Sequence, residues 1–198
     1  GLPVLFIQDI PPKSSIDIKI EQPEIYFGEL SNDHVFVNTE SKEFDYPAGE
    51  ENVYKNYAGT GGVKVGSLFR KALLAGRFKT MKILFSDDIV SESRVLMYRN
   101  ITERVHKIAP FLELDRDPYL VISEGKLFWM YDAYTLSSRF PYSQSIRNLG
   151  NYIRNSVKIV IDAYNGNIDF YISDPSDPII STYKNVFPDL FKSLAEMP

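Results

Sequence analysis

A chain of 198 residues that is 44% hydrophobic, 14% aromatic and 24% charged is long enough to bury a core and too apolar to stay disordered. Its 22 Lys and Arg against 26 Asp and Glu leave a net charge of −4, which gives no reason to expect nucleic acid as a partner. Zero cysteines exclude a disulfide scaffold and thiol chemistry, and two histidines, His34 and His106, exclude a multi-histidine metal cluster; no metal or cofactor is expected.

The chain reads as one domain, residues 1–198, with an extended N-terminal segment over 1–58. In that segment Ile16-Asp17-Ile18-Lys19-Ile20 alternates as a strand does, Glu24 to Phe27 and His34 to Asn38 are β-rich, and turn residues separate them. Gly59-Thr60-Gly61-Gly62 then breaks the chain. Val65, Leu68, Phe69, Ala72 and Leu73 follow the spacing of an amphipathic helix that should end near Gly76. A second helix is predicted from an N-cap at Ser91 to Ala109, stopped by Pro110, with Val95, Tyr98, Ile101, Val105 and Ile108 on one face. Its opposite face would present Arg99, Glu103 and Lys107 at successive i, i+4 spacings, a candidate interaction surface.

Beyond residue 118 the period becomes that of strands. Tyr119 to Ser123 and Lys126 to Tyr134 flank the turn signal Glu124-Gly125, and Asn165-Gly166 between Ile159-Val160-Ile161 and Ile168 to Ile172 is the strongest hairpin signal. Asp177-Pro178 opens a third helix over Ile179 to Phe187, interrupted at Pro188. The expected fold class is therefore α+β, an antiparallel sheet of hairpins packed with two or three helices. Charge is uneven along it. Residues 1–59 hold four Lys/Arg and eleven Asp/Glu, residues 60–109 ten and four, and residues 110–198 eight and eleven, for net values of −7, +6 and −3. The acidic first third is expected to face the basic middle third; the alternative is a basic patch for an anionic partner.

Candidate chemistry is sparse. Two strands share the sequence Asp-Ala-Tyr at 132–134 and 162–164, and if their hairpins lay side by side Asp132 and Asp162 could converge as an acid/base pair. Each aspartate would otherwise cap a turn. Trp129, Tyr131, Tyr134, Phe140 and Tyr142, with Tyr164, offer a stacking surface, although the alternation around Trp129 also suits core packing. Gly59, Gly61, Gly62 and Gly66 near Lys64 and Ser67 match no phosphate-loop pattern. Glu113, Asp115 and Asp117 lack the glycine and terminal glutamate of a calcium loop. Ser123-x-x-Lys126 and Ser181-x-x-Lys184 come without the partner motifs of serine acyl enzymes.

Several strings carry a resemblance: Pro23-Glu24-Ile25-Tyr26-Phe27-Gly28-Glu29, Glu43-Phe44-Asp45-Tyr46-Pro47, Tyr98-Arg99-Asn100-Ile101, Arg104-Val105-His106-Lys107-Ile108-Ala109-Pro110-Phe111 and Asn151-Tyr152-Ile153-Arg154-Asn155-Ser156-Val157-Lys158. With Asp117-Pro118-Tyr119-Leu120-Val121, Asp132-Ala133-Tyr134 and Ile161-Asp162-Ala163-Tyr164-Asn165-Gly166, they resemble the large bacterial membrane proteins called Uncharacterised Protein Family 0182, over nearly the whole chain and in order. The resemblance implies a soluble middle piece of a protein of several hundred residues with an N-terminal block of transmembrane helices. It implies no catalytic residues. The resulting expectation is an extracytoplasmic interaction or ligand-sensing domain of a cell-membrane protein, its partners being the rest of its own polypeptide, transmembrane helices included, or envelope components. An envelope hydrolase or transferase using Asp132 and Asp162, and a structural or oligomerisation unit, are the alternatives. No stretch here approaches the roughly 20 consecutive apolar residues of a membrane span.

Overall fold

The chain is described by a computed structural model, over residues 7–8, 13–14, 19–41, 43–48, 51–54, 56–147 and 150–197. Its architecture is α+β. In the N-terminal third, β1 (Ile7–Gln8) pairs antiparallel with β2 (Lys13–Ser14), and β4 (Phe44–Ala48) with β5 (Glu51–Tyr54). The first part of the expected alternating strand, residues 16–18, lies outside the described residues, and Lys19 and Ile20 belong to no strand. Between those hairpins, β3 (Val35–Val37) joins a small antiparallel sheet in the order β3, β7 (Arg94–Leu96), β6 (Val63–Lys64).

The larger sheet holds β8 (Glu113–Leu114), β9 (Tyr119–Ser123), β10 (Lys126–Ser137), β11 (Tyr152–Asp162), β12 (Ile168–Ile172) and β13 (Phe191–Ser193). Its order is β13-β12-β11-β10-β8, with β9 also pairing β10; only β12 and β13 run parallel. Both hairpin signals hold. Glu124 and Gly125 take φ of 48° and 74°, the left-handed pair that turns β9 into β10. At the β11–β12 turn Gly166 has φ 72°, and a Cβ there would stand 2.6 Å from the Phe27 ring, so the position needs glycine both for its backbone and for the close approach.

The core lies on one face of this sheet. Tyr131 and Ala133 of β10, Val157, Ile159 and Ile161 of β11 and Phe170 of β12 meet Ile101 and Val105 of α3 (Ile101–Ile108), Ile180 of α4 (Pro178–Val186) and Phe27. Each of these large side chains, buried whole, contributes roughly 1.5–3 kcal/mol. The opposite face, with Phe128, Met130, Asp132 and Tyr134 on β10, is half-buried. A second, smaller core of Val65, Leu74, Ala75, Ile83, Ile89 and Val95 lies between the β3-β7-β6 sheet and the helices α1 (Leu68–Phe78) and α2 (Lys82–Phe85).

Three expectations are corrected. The helix predicted from Ser91 begins only at Ile101. Residues 94–96 are the central strand of the small sheet, Tyr98 turns the chain at φ 51°, and Asn100 is the true N-cap, accepting from the Glu103 amide through its side chain. The repeated Asp-Ala-Tyr does not mark equivalent strand ends, because β10 runs on to Ser137 and pairs directly with β11, Phe128 opposite Asp162. In α1 the stripe of Leu68, Phe69, Ala72 and Leu73 points to solvent, and Leu74 and Ala75 are buried instead. That helix is apolar around most of its circumference, so periodicity cannot choose a side. The side is chosen by Phe78, whose ring stacks on His34 at 3.8 Å, and by the Lys71 ammonium, which donates to the carbonyls of Ser86 and Ile89.

Candidate functional site

The two aspartates singled out by the sequence do not converge. Both stand on the half-buried sheet face, but Asp162 pairs across with Phe128, and Asp132 is four residues further along β10, roughly 13 Å at strand spacing. A carboxylate pair that works on one bond needs about 5 to 10 Å. Asp132 is instead the ion-pair partner of Lys158, its cross-strand neighbour. Asp162 is consumed by its turn: Oδ1 accepts from the amides of Tyr164 and Asn165, and Oδ2 from the Asn165 side-chain amide.

The turn that Asp162 shapes is a structural hub. The Ala163 carbonyl accepts from the amides of Tyr26 and Phe27, both at 2.9 Å, which ties the N-terminal third to the sheet. Asn165 Oδ1 accepts from the Thr60 amide and the Tyr57 hydroxyl. The Gly166 carbonyl accepts from Arg104 Nε at 2.7 Å, and that guanidinium lies 4.7 Å over the Phe27 ring. Tyr164 stacks on Tyr57 at 5.0 Å, meets Tyr26 edge-on, and accepts from the Ala58 amide. Burial raises the Tyr57 phenol above its ordinary pKa and lowers the Arg104 guanidinium below its own. The glycine-rich stretch before α1 belongs to this hub. Its carbonyls at Thr60, Gly61 and Gly62 take the Arg94 guanidinium, and a Cβ at Gly61 would stand 2.3 Å from the Asn165 carbonyl oxygen.

The aromatic candidates form no common platform. Trp129 faces the core and donates from its indole to the Phe27 carbonyl at 2.9 Å, while Tyr131 beside it is buried, its hydroxyl 2.6 Å from that of Thr102 and its pKa raised by burial. Tyr134 stands on the other face of β10. Phe140 stacks on Tyr152 at 4.5 Å, and Tyr142 is exposed. The charged face is also divided. Arg99 precedes the helix rather than riding on it, and its Nε donates to the Tyr26 carbonyl at 2.7 Å; burial lowers its pKa. Glu103 and Lys107 remain on α3, exposed, with the Lys107 ammonium 5.4 Å over the Tyr98 ring.

Two features were missed by the sequence reading of the site. The first is the fully buried Asp177, the N-cap of α4, whose carboxylate accepts from Thr135, Ser156 and Tyr152 hydroxyls and the Ile179 amide. Burial pushes its pKa up, but the four donors together hold it below the ordinary aspartate value. Only the capping role was legible, from Asp177-Pro178. The second is the outer side of the α1–α2 hairpin, which leaves Leu68, Phe69, Leu73, Met81 and Phe85 exposed. A run of five bases without one acid between Leu68 and Phe85 was the available clue.

A groove of about 580 Å³ runs between α4 and β13 and is lined in part by Ser181, Lys184, Lys192 and Ser193. Ser181 Oγ there donates to the Pro175 carbonyl, and the other Ser-x-x-Lys pair, Ser123 and Lys126, faces across the β9–β10 turn. Asp115, in the acidic run, accepts from the amide of Arg116. Among the described residues no three His, Asp or Glu side chains gather to hold a metal ion, and no helix is long and apolar enough to cross a membrane.

The family model for UPF0182, an uncharacterised protein family, matches residues 1–198. The chain belongs to that family. A UPF0182 protein of Pelotomaculum thermopropionicum is 54% identical over 198 residues, which is 100% of this chain and 22% of the relative. UPF0182 proteins of Desulforamulus reducens and Geobacter sulfurreducens are 56% and 55% identical, each again over 100% of this chain and 22% of their own length. The chain thus spans about a fifth of the curated relatives it matches. No solved structure matches it. Four of the eight UPF0182 strings quoted from the sequence reach the hub, through Tyr26 and Phe27, Arg99, Arg104, and Asp162 to Gly166.

Proposed function

We propose that this UPF0182 region is an extracytoplasmic interaction domain of a multi-pass membrane protein, engaging a partner through the outer side of α1 and α2. One observation carries the reading: five large apolar side chains on that hairpin stand in solvent, facing away from the core that their helices help to build. Apolar surface of this kind is what a binding site for a macromolecule leaves open. The curated relatives are more than four times as long, which supports a role as one region of a larger assembly. An envelope hydrolase has no comparable support, since Asp132 and Asp162 are both occupied by structural bonds and stand apart.

The test is photocrosslinking in the full-length protein in its native membrane. Benzoylphenylalanine in place of Phe69 or Phe85 is expected to yield a crosslinked product, to polypeptide or to lipid, well above that from a probe at Glu113 on the far edge of the large sheet. Equal yields at the three positions would sink the interaction reading.

A further inference from the structure

We propose that the partner of the α1–α2 hairpin is a bilayer surface carrying anionic phospholipid headgroups. This deepens the interaction reading above and rests on it. Leu68, Phe69, Leu73, Met81 and Phe85 are between 58% and 75% exposed. On α1, Phe69, Leu73 and Gly76 follow each other at i, i+4 and i+7, the stripe opposite buried Leu74 and Ala75. On α2, Met81 and Phe85 are one turn apart, with Ile83 between them turned to the core. The outward sides of both helices are therefore apolar.

Within the hairpin the charge has a single sign, with Asp87 and Asp88 following just beyond it. From Leu68 to Phe85 the chain carries Arg70, Lys71, Arg77, Lys79 and Lys82 and no acid. Lys71 is spent inside, on the Ser86 and Ile89 carbonyls. The other four are exposed, and none makes an ion pair with a carboxylate among the described residues. Arg70 and Arg77 border the apolar stripe of α1 along one side; Lys79 caps its C-terminus in the left-handed conformation, and Lys82 opens α2.

Apolar side chains at the centre with long cationic ones at the margin match the headgroup zone of a bilayer. Phenylalanine and leucine reach the acyl boundary there, while lysine and arginine extend to the phosphates. A second copy of the chain fits less well, because a two-fold interface sets each set of bases against its own image and like charges oppose contact.

Flotation of the 198-residue chain with lipid vesicles tests this. Binding is expected with phosphatidylcholine vesicles containing about 30 mol% phosphatidylglycerol, and it should fall steeply in pure phosphatidylcholine. The Lys79→Gln/Lys82→Gln chain should lose roughly 25-fold in partition coefficient, fivefold per base. Phe69→Ser/Phe85→Ser should lose more than about tenfold, and the exposure of both rings means that the fold survives the change. Equal binding to neutral and anionic vesicles, or parent-like binding by the two-serine chain, would overturn the proposal. So would a concentration-dependent dimer that the two-serine chain cannot form, which makes a second copy the occupant. Absence of flotation together with a polypeptide crosslink from Phe69 overturns the lipid and leaves the interaction domain standing. Failure of both experiments removes both.

Discussion

At the scale of single residues, a buried carboxylate with four donors and no cation among the described residues is the most consequential of the sites described. Asp177 is the N-cap of α4 and at the same time ties that helix to Thr135 of β10 and Ser156 of β11. In the unfolded chain its carboxyl titrates near the ordinary value of about 3.9; in the folded chain it titrates lower. Its contribution to stability is therefore complete above the unfolded value and is lost as the pH falls through the folded one. Asp177→Asn keeps a capping oxygen but turns two of the donor contacts against an amide, and should cost about 2–3 kcal/mol at neutral pH. Denaturant melts from pH 7 downward should show the gap between parent and variant narrowing in acid; a gap independent of pH would mean that folding does not shift the carboxyl's titration, and a gap that widens in acid would mean that the group is neutral in the folded state. None of this network was legible beyond the cap, because Thr135, Ser156 and Tyr152 are distant in sequence and carry no motif. Asp132 and Asp162 stood out for the opposite reason, since a repeated tripeptide is visible in sequence whereas the register that separates the two residues is not.

Among the elements, legibility follows how local the determining interaction is. The turns at Glu124-Gly125 and Asn165-Gly166 and the cap at Asp177 depend on a few adjacent residues, and all three were readable. The start of α3 was not, because Ser91 to Leu96 has a helix-compatible pattern and is claimed by β3 and β6 through long-range pairing. Asn100 then both caps α3 and donates from its amide to the Glu29 carbonyl, so one side chain sets where the helix begins and where the N-terminal segment lies. Asn100→Ala should lower stability by about 1–2 kcal/mol, while Ser91→Ala should change it by less than about 0.5 kcal/mol. Thermal melts of the two variants separate the alternatives, and a larger loss at Ser91 would restore the longer helix. The side of α1 that faces the core is the same problem in another form. Two apolar stripes compete on one helix, and only contacts with His34 and the 86–89 loop decide between them.

Over the whole molecule, the uneven charge finds its explanation in what the thirds do with their side chains. The acidic first third does pack on the basic middle third, through the pairing of β3 with β7, the Arg99 bond to the Tyr26 carbonyl and the Asn100 bond to the Glu29 carbonyl. These are bonds to backbone. The ion pairs resolved between described residues, such as Lys64 with Glu92 and Arg154 with Asp174, each join partners within one third. Among the bases of α1 and α2, Lys71 donates to backbone carbonyls, Arg70 to the Lys64 carbonyl and Arg77 to the Tyr98 hydroxyl, but none is neutralised by a carboxylate among the described residues, so their charge remains for an anionic surface. If that surface is the outer leaflet, the domain must lie on the extracytoplasmic side. A sequence without cysteine offers a direct test, because one introduced thiol is then the only one in this region. Ser145 lies in the exposed stretch between β10 and β11, so Ser145→Cys places a thiol in solvent without touching the core. In spheroplasts expressing the full-length protein, a membrane-impermeant maleimide should label the variant before lysis above the background labelling of the parent. Labelling that appears only after permeabilisation would put the domain in the cytoplasm, where the same hairpin would have to meet the inner leaflet.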